Sequence, residues 1–275
     1  MAATRGSIVI PQQMIVKHNS DFFRNGFLSM TIIGKSGCGK TEMLASILPG
    51  ISLDIKTIFI ATVIKDAPAH IAIKNYFLSH GVYCGITHDP FELRASFNMA
   101  ADNQRVSLNR PGLVIFDDFN TGRATGPFWD VTIHAFTKLR NNGWHFILLA
   151  QQPSFVPTIV RNCTTARVLF DCYSKSALTS FTRDVKDRVS DQSAYEGLIE
   201  YIQKIPYSYM LVRERPFDIS AGKGGNIRSV INGSSVVMPT LQELMNEIGV
   251  KSKAELDTKS KMLQREAGND SRHLF

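Results

Sequence analysis

Eight consecutive residues, Gly34-Lys35-Ser36-Gly37-Cys38-Gly39-Lys40-Thr41, have the spacing Gly-x4-Gly-Lys-Ser/Thr. Three glycines let a backbone turn tightly and aim successive N–H groups at anionic oxygens, and the positive end of a following helix dipole adds to the attraction. The chemistry expected is binding of a nucleoside triphosphate with Mg²⁺. Lys40 would reach the β- and γ-phosphates, and the Thr41 hydroxyl would ligate Mg²⁺. An apolar run, Phe27 to Ile33, precedes the loop and helix-compatible residues, Glu42 to Leu48, follow it. That strand-loop-helix context separates a phosphate site from a structural glycine turn. Cys38 occupies a variable position of the loop and reads as a small filler.

Leu113-Val114-Ile115-Phe116-Asp117-Asp118 has the form of a buried strand ending in two carboxylates, a Walker B element. Asp117 is expected to hold Mg²⁺ opposite Thr41. Asp118 is placed to orient or deprotonate the water that attacks the γ-phosphate, because hydrolysis needs a group that accepts a water proton. The competing reading is an acidic pair capping a strand at a turn. A later apolar run, His145 to Ala150, ends in Gln151-Gln152. Ligands gather at the C-terminal ends of parallel strands, and a neutral amide there can hydrogen-bond both the γ-phosphate and the lytic water. Gln151 is therefore the expected sensor, against the plainer reading of a polar residue opening a loop.

One phosphate loop cannot neutralise all the charge of a phosphoryl transition state, and an arginine from a neighbouring subunit supplies the remainder. Arg140 is the leading candidate and Arg123 its rival, with Arg161 and Arg167 behind them. For each, a solvated helix end complementing the helix dipole is the alternative.

The elements that must carry these groups are legible as short apolar, β-branched runs alternating with helical patterns. Strands are expected at Leu28 to Ile33, Thr57 to Thr62, Leu113 to Phe116, His145 to Ala150 and Arg167 to Phe170. Their continuous apolarity predicts a parallel sheet covered on both faces, an α/β fold. Helices are expected over Pro68 to His80 and Pro127 to Asn142, with a short extended segment from Gly81 to His88 between them. In the second helix Trp129, Ile133, Phe136 and Leu139 share a face. Further on, Ala177 to Val185 and Ala194 to Ile205 read as helices, Tyr207 to Val212 as a strand, and Ile227 to Val237, broken at Asn232-Gly233, as a hairpin or flap.

At 275 residues the chain has room for one domain with extensions. The expected division is an N-terminal arm at 1–26, a phosphate-loop domain at 27–238 and a helical, charged tail at 239–275. No apolar stretch approaches the ~18 residues of a membrane span, and Met1 to Ser20 lacks the apolar core of a secretory signal, so a cytoplasmic setting is expected. Four cysteines without paired spacing read as free thiols. Lys plus Arg number 31 against 24 for Asp plus Glu, a net charge of +7 that suits a polyanionic partner.

Gly34 to Thr41, Ile115-Phe116-Asp117-Asp118-Phe119, Leu139-Arg140-Asn141-Asn142 and Phe146 to Val156 together resemble the genome-packaging ATPases of nucleocytoplasmic large DNA viruses, poxviruses among them. Relatives occur in virophages and membrane-containing viruses, and all lie within the FtsK–HerA superfamily of P-loop NTPases. The similarity runs from about Phe27 to Cys172. It implies a RecA-like domain with a mainly parallel central sheet flanked by helices, plus a C-terminal extension. It also implies a homo-oligomeric ring that hydrolyses ATP to move double-stranded DNA into a preformed capsid, with capsid or portal-vertex proteins as partners and the host cytoplasm as the setting. By position, the resemblance gives Lys40 and Thr41 as phosphate and metal ligands, Asp117 as metal carboxylate, Asp118 as catalytic acid residue, Gln151 as strand-end glutamine and Arg140 as trans-acting arginine. Many superfamily members carry Glu where this chain has Asp118.

Two other functions fit a phosphate loop: a small-molecule or nucleoside kinase, and a non-catalytic assembly protein that ATP locks together. Neither an arginine-bearing lid nor an acceptor pocket is recognisable, and the filled catalytic positions speak for hydrolysis. DNA contacts are expected on loops that track phosphates without reading bases, with Arg123 and Lys223 to Arg228 as candidates.

Overall fold

The computed structural model describes residues 28–48, 55–64, 67–106, 112–119, 126–139, 144–172, 174, 176, 178–179, 183–189, 192–214, 217–223, 226–232 and 235–236. The arm at 1–26, the tail at 239–275, and both Arg123 and Arg140 lie outside these residues. Chain contacts divide it into two compact units. The first takes residues up to 31, 41–150 and 155–164, and the second takes 32–40, 151–154 and the chain from 165 onward.

The first unit contains β1 (Ser29–Ile33) as far as Thr31, then α1 (Lys40–Ile47) from Thr41, β2 (Thr57–Ala61), α2 (Pro68–Ser79), β3 (Tyr83–Thr87), α3 (Pro90–Val106), β4 (Gly112–Asp117), α4 (Pro127–Lys138), β5 (His145–Ala150) and α5 (Thr158–Asn162). Strand order is β1-β5-β4-β2-β3. β2 runs parallel to β3 and to β4, and β4 parallel to β5, with Ile58 opposite Leu113 and Asp117 opposite Leu149. Every residue of β4 and β5 is buried, as their continuous apolar sequences require of strands covered on both faces. The parallel pairings make β2, β3, β4 and β5 point their C-terminal ends the same way, and parallel neighbours need crossover connections, which helices supply. Trp144, immediately before β5, stacks on Phe59 at 6.0 Å between ring centroids, and Phe116, Phe136 and Phe146 fill the core nearby.

Helix α3 is a feature that hydrophobic periodicity does not announce. Over residues 90–98, where its side chains are described, Pro90, Leu93 and Phe97 are buried while Phe91 is exposed. Its start does carry a local signal. The Asp89 Oδ1 accepts the Phe91 N–H at 2.8 Å and Pro90 occupies the first helical position. Helix α4 ends at Lys138, short of the Asn142 expected, with Leu139 capping it in helical conformation.

The second unit contains the last two residues of β1, the loop that follows, β6 (Ala166–Phe170), α6 (Arg183–Lys186), α7 (Gln192–Lys204), β7 (Ser208–Glu214), β8 (Phe217–Lys223), β9 (Asn226–Asn232) and β10 (Ser235–Val236). Here the order is β1-β6-β7-β8-β9-β10, and from β6 onward each pair is antiparallel. The expected hairpin is β9 with β10. β8 is an added strand: Phe217-Asp-Ile-Ser-Ala alternates apolar and polar residues, and it pairs with β7 and β9, with a bulge at Ala221/Gly222. Within the helical stretch expected over Ala177 to Val185, Leu178 and Thr179 are helical and α6 begins at Arg183. Among the described residues no helix is long and apolar enough to cross a membrane.

Candidate active site

In the second unit the loop after β1 folds back on itself. Gly34 is buried, and a Cβ placed on it would lie 2.6 Å from the Cys38 Sγ and 2.6 Å from the Phe170 Cβ, so only glycine fits. Gly39 has φ 98°, a backbone region open to glycine and strained for other residues. The Lys40 Nζ donates to the Gly34 carbonyl at 2.9 Å and the Lys35 carbonyl at 3.1 Å, so the lysine curls across the mouth of its own loop. Ser36 and Gly37 are exposed at the tip, while Cys38 is buried. Burial pushes the Cys38 thiol up to about 11, which keeps it protonated near neutrality and fits a filler.

Asp171, the residue after β6, anchors this loop twice. Its carbonyl accepts the Lys35 N–H at 2.9 Å and its carboxylate pairs with the Lys35 ammonium. Tyr207, at the entry to β7, holds the positive φ of 60° and sets its ring 3.3 Å from the Cβ position of Gly39. Gln151 begins this unit's short segment after β5 and is half-buried.

In the first unit Thr41 Oγ1 donates to Asp117 Oδ2 at 3.4 Å, joining the start of α1 to the end of β4 across 76 residues of sequence. Asp117 is 5% exposed. The same oxygen lies 2.8 Å from the Nε2 of His70, a residue in the first turn of α2 that is 3% exposed. Asp118 follows with φ 48°, in the left-handed region, and is half-buried. Aspartate is among the few non-glycine residues that tolerate this region. β5 separates β1 from β4 in the strand order, and Gln151 is the next residue of its chain.

Of the residues predicted from sequence, Gly34 to Lys40 thus form one loop and Thr41 meets Asp117. Arg167 is ruled out as a free cation: it is buried and its guanidinium pairs with Glu214 at 2.9 Å. Sequence reasoning passed over His70, Asp171 and Tyr207. The signal for the first two was position alone, since each follows a strand that ends at a ligand-binding edge. Tyr207 carried no signal.

A hydroxyl and a carboxylate are hard oxygen donors of the kind Mg²⁺ prefers. Among the described residues no group of three or more His, Cys, Asp and Glu could hold an ion. A two-donor site of this type matches Mg²⁺, which keeps waters and phosphate oxygens as its other ligands. The residues present therefore fit a magnesium–nucleotide complex.

No family model matches the chain, and no curated protein matches it in sequence. Solved structures do. The genome packaging NTPase B204 from Sulfolobus turreted icosahedral virus 2, in complex with sulfate, aligns at TM-score 0.51 and 15% identity over 72% of this chain and 97% of that one. Its AMPPCP complex aligns at TM-score 0.50 and 14% identity, covering 72% and 98%. The chain has a P-loop NTPase fold. EssC (ATPases 2 and 3) from Geobacillus thermodenitrificans also aligns, at TM-score 0.50 and 12% identity, over 86% of this chain and 44% of that one. This is the mainly parallel sheet flanked by helices that the FtsK–HerA resemblance implied.

Proposed function

We propose that this chain hydrolyses ATP as a subunit of a homo-oligomeric ring that drives double-stranded DNA into a preformed viral capsid, in the host cytoplasm. The observation that carries the reading is the meeting of Thr41 with Asp117, followed by a second carboxylate, Asp118, in a constrained backbone. Thr41 and Asp117 would hold Mg²⁺, which would supply positive charge against the negative charge developing on the phosphates. Lys40 would leave its two loop carbonyls and bind the β- and γ-phosphates, exchanging neutral acceptors for charged ones. Asp118 would accept a proton from the attacking water, and Gln151 would hold that water and the γ-phosphate with one amide. Arg140 would stabilise the transition state from the neighbouring subunit.

The DNA and capsid parts of the proposal rest on the likeness in fold to the packaging NTPase B204, on the sequence resemblance and on the basic excess. Capsid or portal-vertex proteins are the partners this reading requires. The test is phosphate release from Mg²⁺–ATP by purified protein, with and without duplex DNA. Free phosphate as product, stimulation by DNA and loss of both in Lys40→Ala are expected. A phosphorylated small molecule as product would instead show a kinase, tight binding without turnover an assembly protein, and a rate indifferent to DNA would remove translocation.

A further inference from the structure

We infer that His70 is a positioning residue of the metal site, an inference that rests on the functional reading above. Its imidazole fixes the Asp117 carboxylate in the orientation that faces Thr41, and thereby sets how tightly Mg²⁺ is held with the nucleotide.

Three elements converge on one oxygen. Asp117 closes β4, Thr41 opens α1 and His70 lies in the first turn of α2. The Oδ2 of Asp117 receives Thr41 Oγ1 at 3.4 Å and lies 2.8 Å from His70 Nε2. An ionised carboxylate only accepts, so Nε2 carries the hydrogen and donates. A carboxylate whose single oxygen is held by donors from two helices cannot rotate without breaking both bonds. Both His70 and Asp117 are more than nine-tenths buried, so water does not compete for this bond.

A purely structural imidazole is a poor explanation. The other ring nitrogen, Nδ1, is buried and has no hydrogen-bond partner among the described residues. Such an atom destabilises the fold, and an aliphatic side chain of similar volume would avoid it. What only the imidazole supplies is the Nε2–H aimed at Asp117. In metal sites the groups that orient a ligand through a hydrogen bond typically change metal affinity 10–100-fold when removed. The role requires no change of protonation at His70, only the Nε2–H tautomer. Nor does it require contact with substrate, so His70 positions and does not itself react.

The experiment is a Mg²⁺ titration of full-length protein with a fluorescent ATP analogue, alongside nucleotide binding in excess chelator, for wild type, His70→Leu and His70→Gln. Expected is a rise of about 10- to 100-fold in the Mg²⁺ needed by His70→Leu. Chelator-state nucleotide affinity should stay unchanged, and His70→Gln, which can return a donor near the Nε2 position, should recover most of the loss. Equal Mg²⁺ requirements in wild type and His70→Leu, or a parallel loss with and without metal, would overturn the inference while leaving the ATPase reading intact. Wild-type protein that binds no Mg²⁺–nucleotide would overturn both. Should His70→Leu not fold, the imidazole nitrogens of wild-type His70 decide by NMR. An Nε2–H tautomer whose shift moves when Mg²⁺ joins bound nucleotide supports the role, and an Nδ1–H tautomer or an unmoved shift refutes it.

Discussion

Asp118 couples a backbone requirement to a chemical one. At φ 48° it sits where asparagine and aspartate are tolerated and most other residues are strained. Asp118→Asn therefore removes the charge without disturbing the turn, and it isolates proton acceptance from folding. Phosphate release should fall by about 10²- to 10⁴-fold, the usual contribution of a general base, while nucleotide affinity and melting temperature stay near wild type. Asp118→Ala should lose the same activity and also about 1 kcal/mol of stability in denaturant unfolding, because alanine lacks the tolerance for this conformation. An asparagine variant that hydrolyses ATP at the wild-type rate would move the base elsewhere. The loop glycines make the complementary point. Gly34 is required by crowding from Cys38 and Phe170, and Gly39 by its own φ, so identical residues at two positions answer different constraints.

Packing and protonation act at the scale of elements. A Cβ on Gly112, the first residue of β4, would lie 2.3 Å from Trp144 Cζ3, and that ring is buried and stacked on Phe59, so it has nowhere to move. Gly112→Ala should cost about 1–3 kcal/mol through overpacking, seen as a lower unfolding midpoint in urea. β5 begins with His145, whose Nδ1 accepts the Leu28 N–H at 2.9 Å, so its ring must lack a proton at that nitrogen. Burial lowers its pKa below the ordinary 6.5. The unfolded chain therefore takes up the proton at higher pH than the fold does. The contribution is complete above about pH 6.5 and is lost as pH falls below it. His145→Asn offers an acceptor close to the Nδ1 position and does not titrate, so its melting temperature should drop less between pH 7 and pH 5 than that of wild type. His134, also lowered by burial and then by Arg94 and Lys138, contributes equally to both proteins. An equal drop would exclude His145. The same elements show what sequence reveals. The phosphate loop, β4 and β5 are legible because their signals are local: glycine spacing, and apolar runs ending in named polar residues. α3 is less so, because exposed Phe91 lies off the face that Leu93 and Phe97 share, whereas β8 carries a local alternation, Phe217-Asp-Ile-Ser-Ala, that sequence reasoning passed over. His70 and Asp171 escape for another reason. Each acts through a partner 47 or 136 positions away in the chain, Asp117 and Lys35 respectively, and no local pattern encodes such a meeting.

Under the proposed function, the molecule as a whole must offset the negative charge of a phosphoryl transition state. A loop lysine and one metal ion neutralise part of a phosphoryl transition state, and a trans-acting arginine is worth roughly 10³–10⁵ in rate. Arg140 follows directly on α4 and Leu139, and the proposal makes it act on the neighbouring subunit's nucleotide. That arrangement has a signature that no single-chain enzyme can imitate. Lys40→Ala and Arg140→Ala should each be inactive alone, the first for want of phosphate binding and the second for want of the finger. When the two are mixed, an interface in which an Arg140→Ala subunit supplies the phosphate loop and a Lys40→Ala subunit supplies the arginine is complete. Random assembly in equal amounts makes about one interface in four complete, so the mixture should recover DNA-stimulated hydrolysis that neither variant shows by itself. The basic excess of +7 adds a condition, because binding to DNA phosphates weakens steeply with salt and the recovery is to be read at low ionic strength. If the mixture stays inactive while one prepared with Arg123→Ala in place of Arg140→Ala recovers, the finger is Arg123. If neither mixture recovers, each nucleotide site is completed within its own chain, and the ring is not needed for hydrolysis.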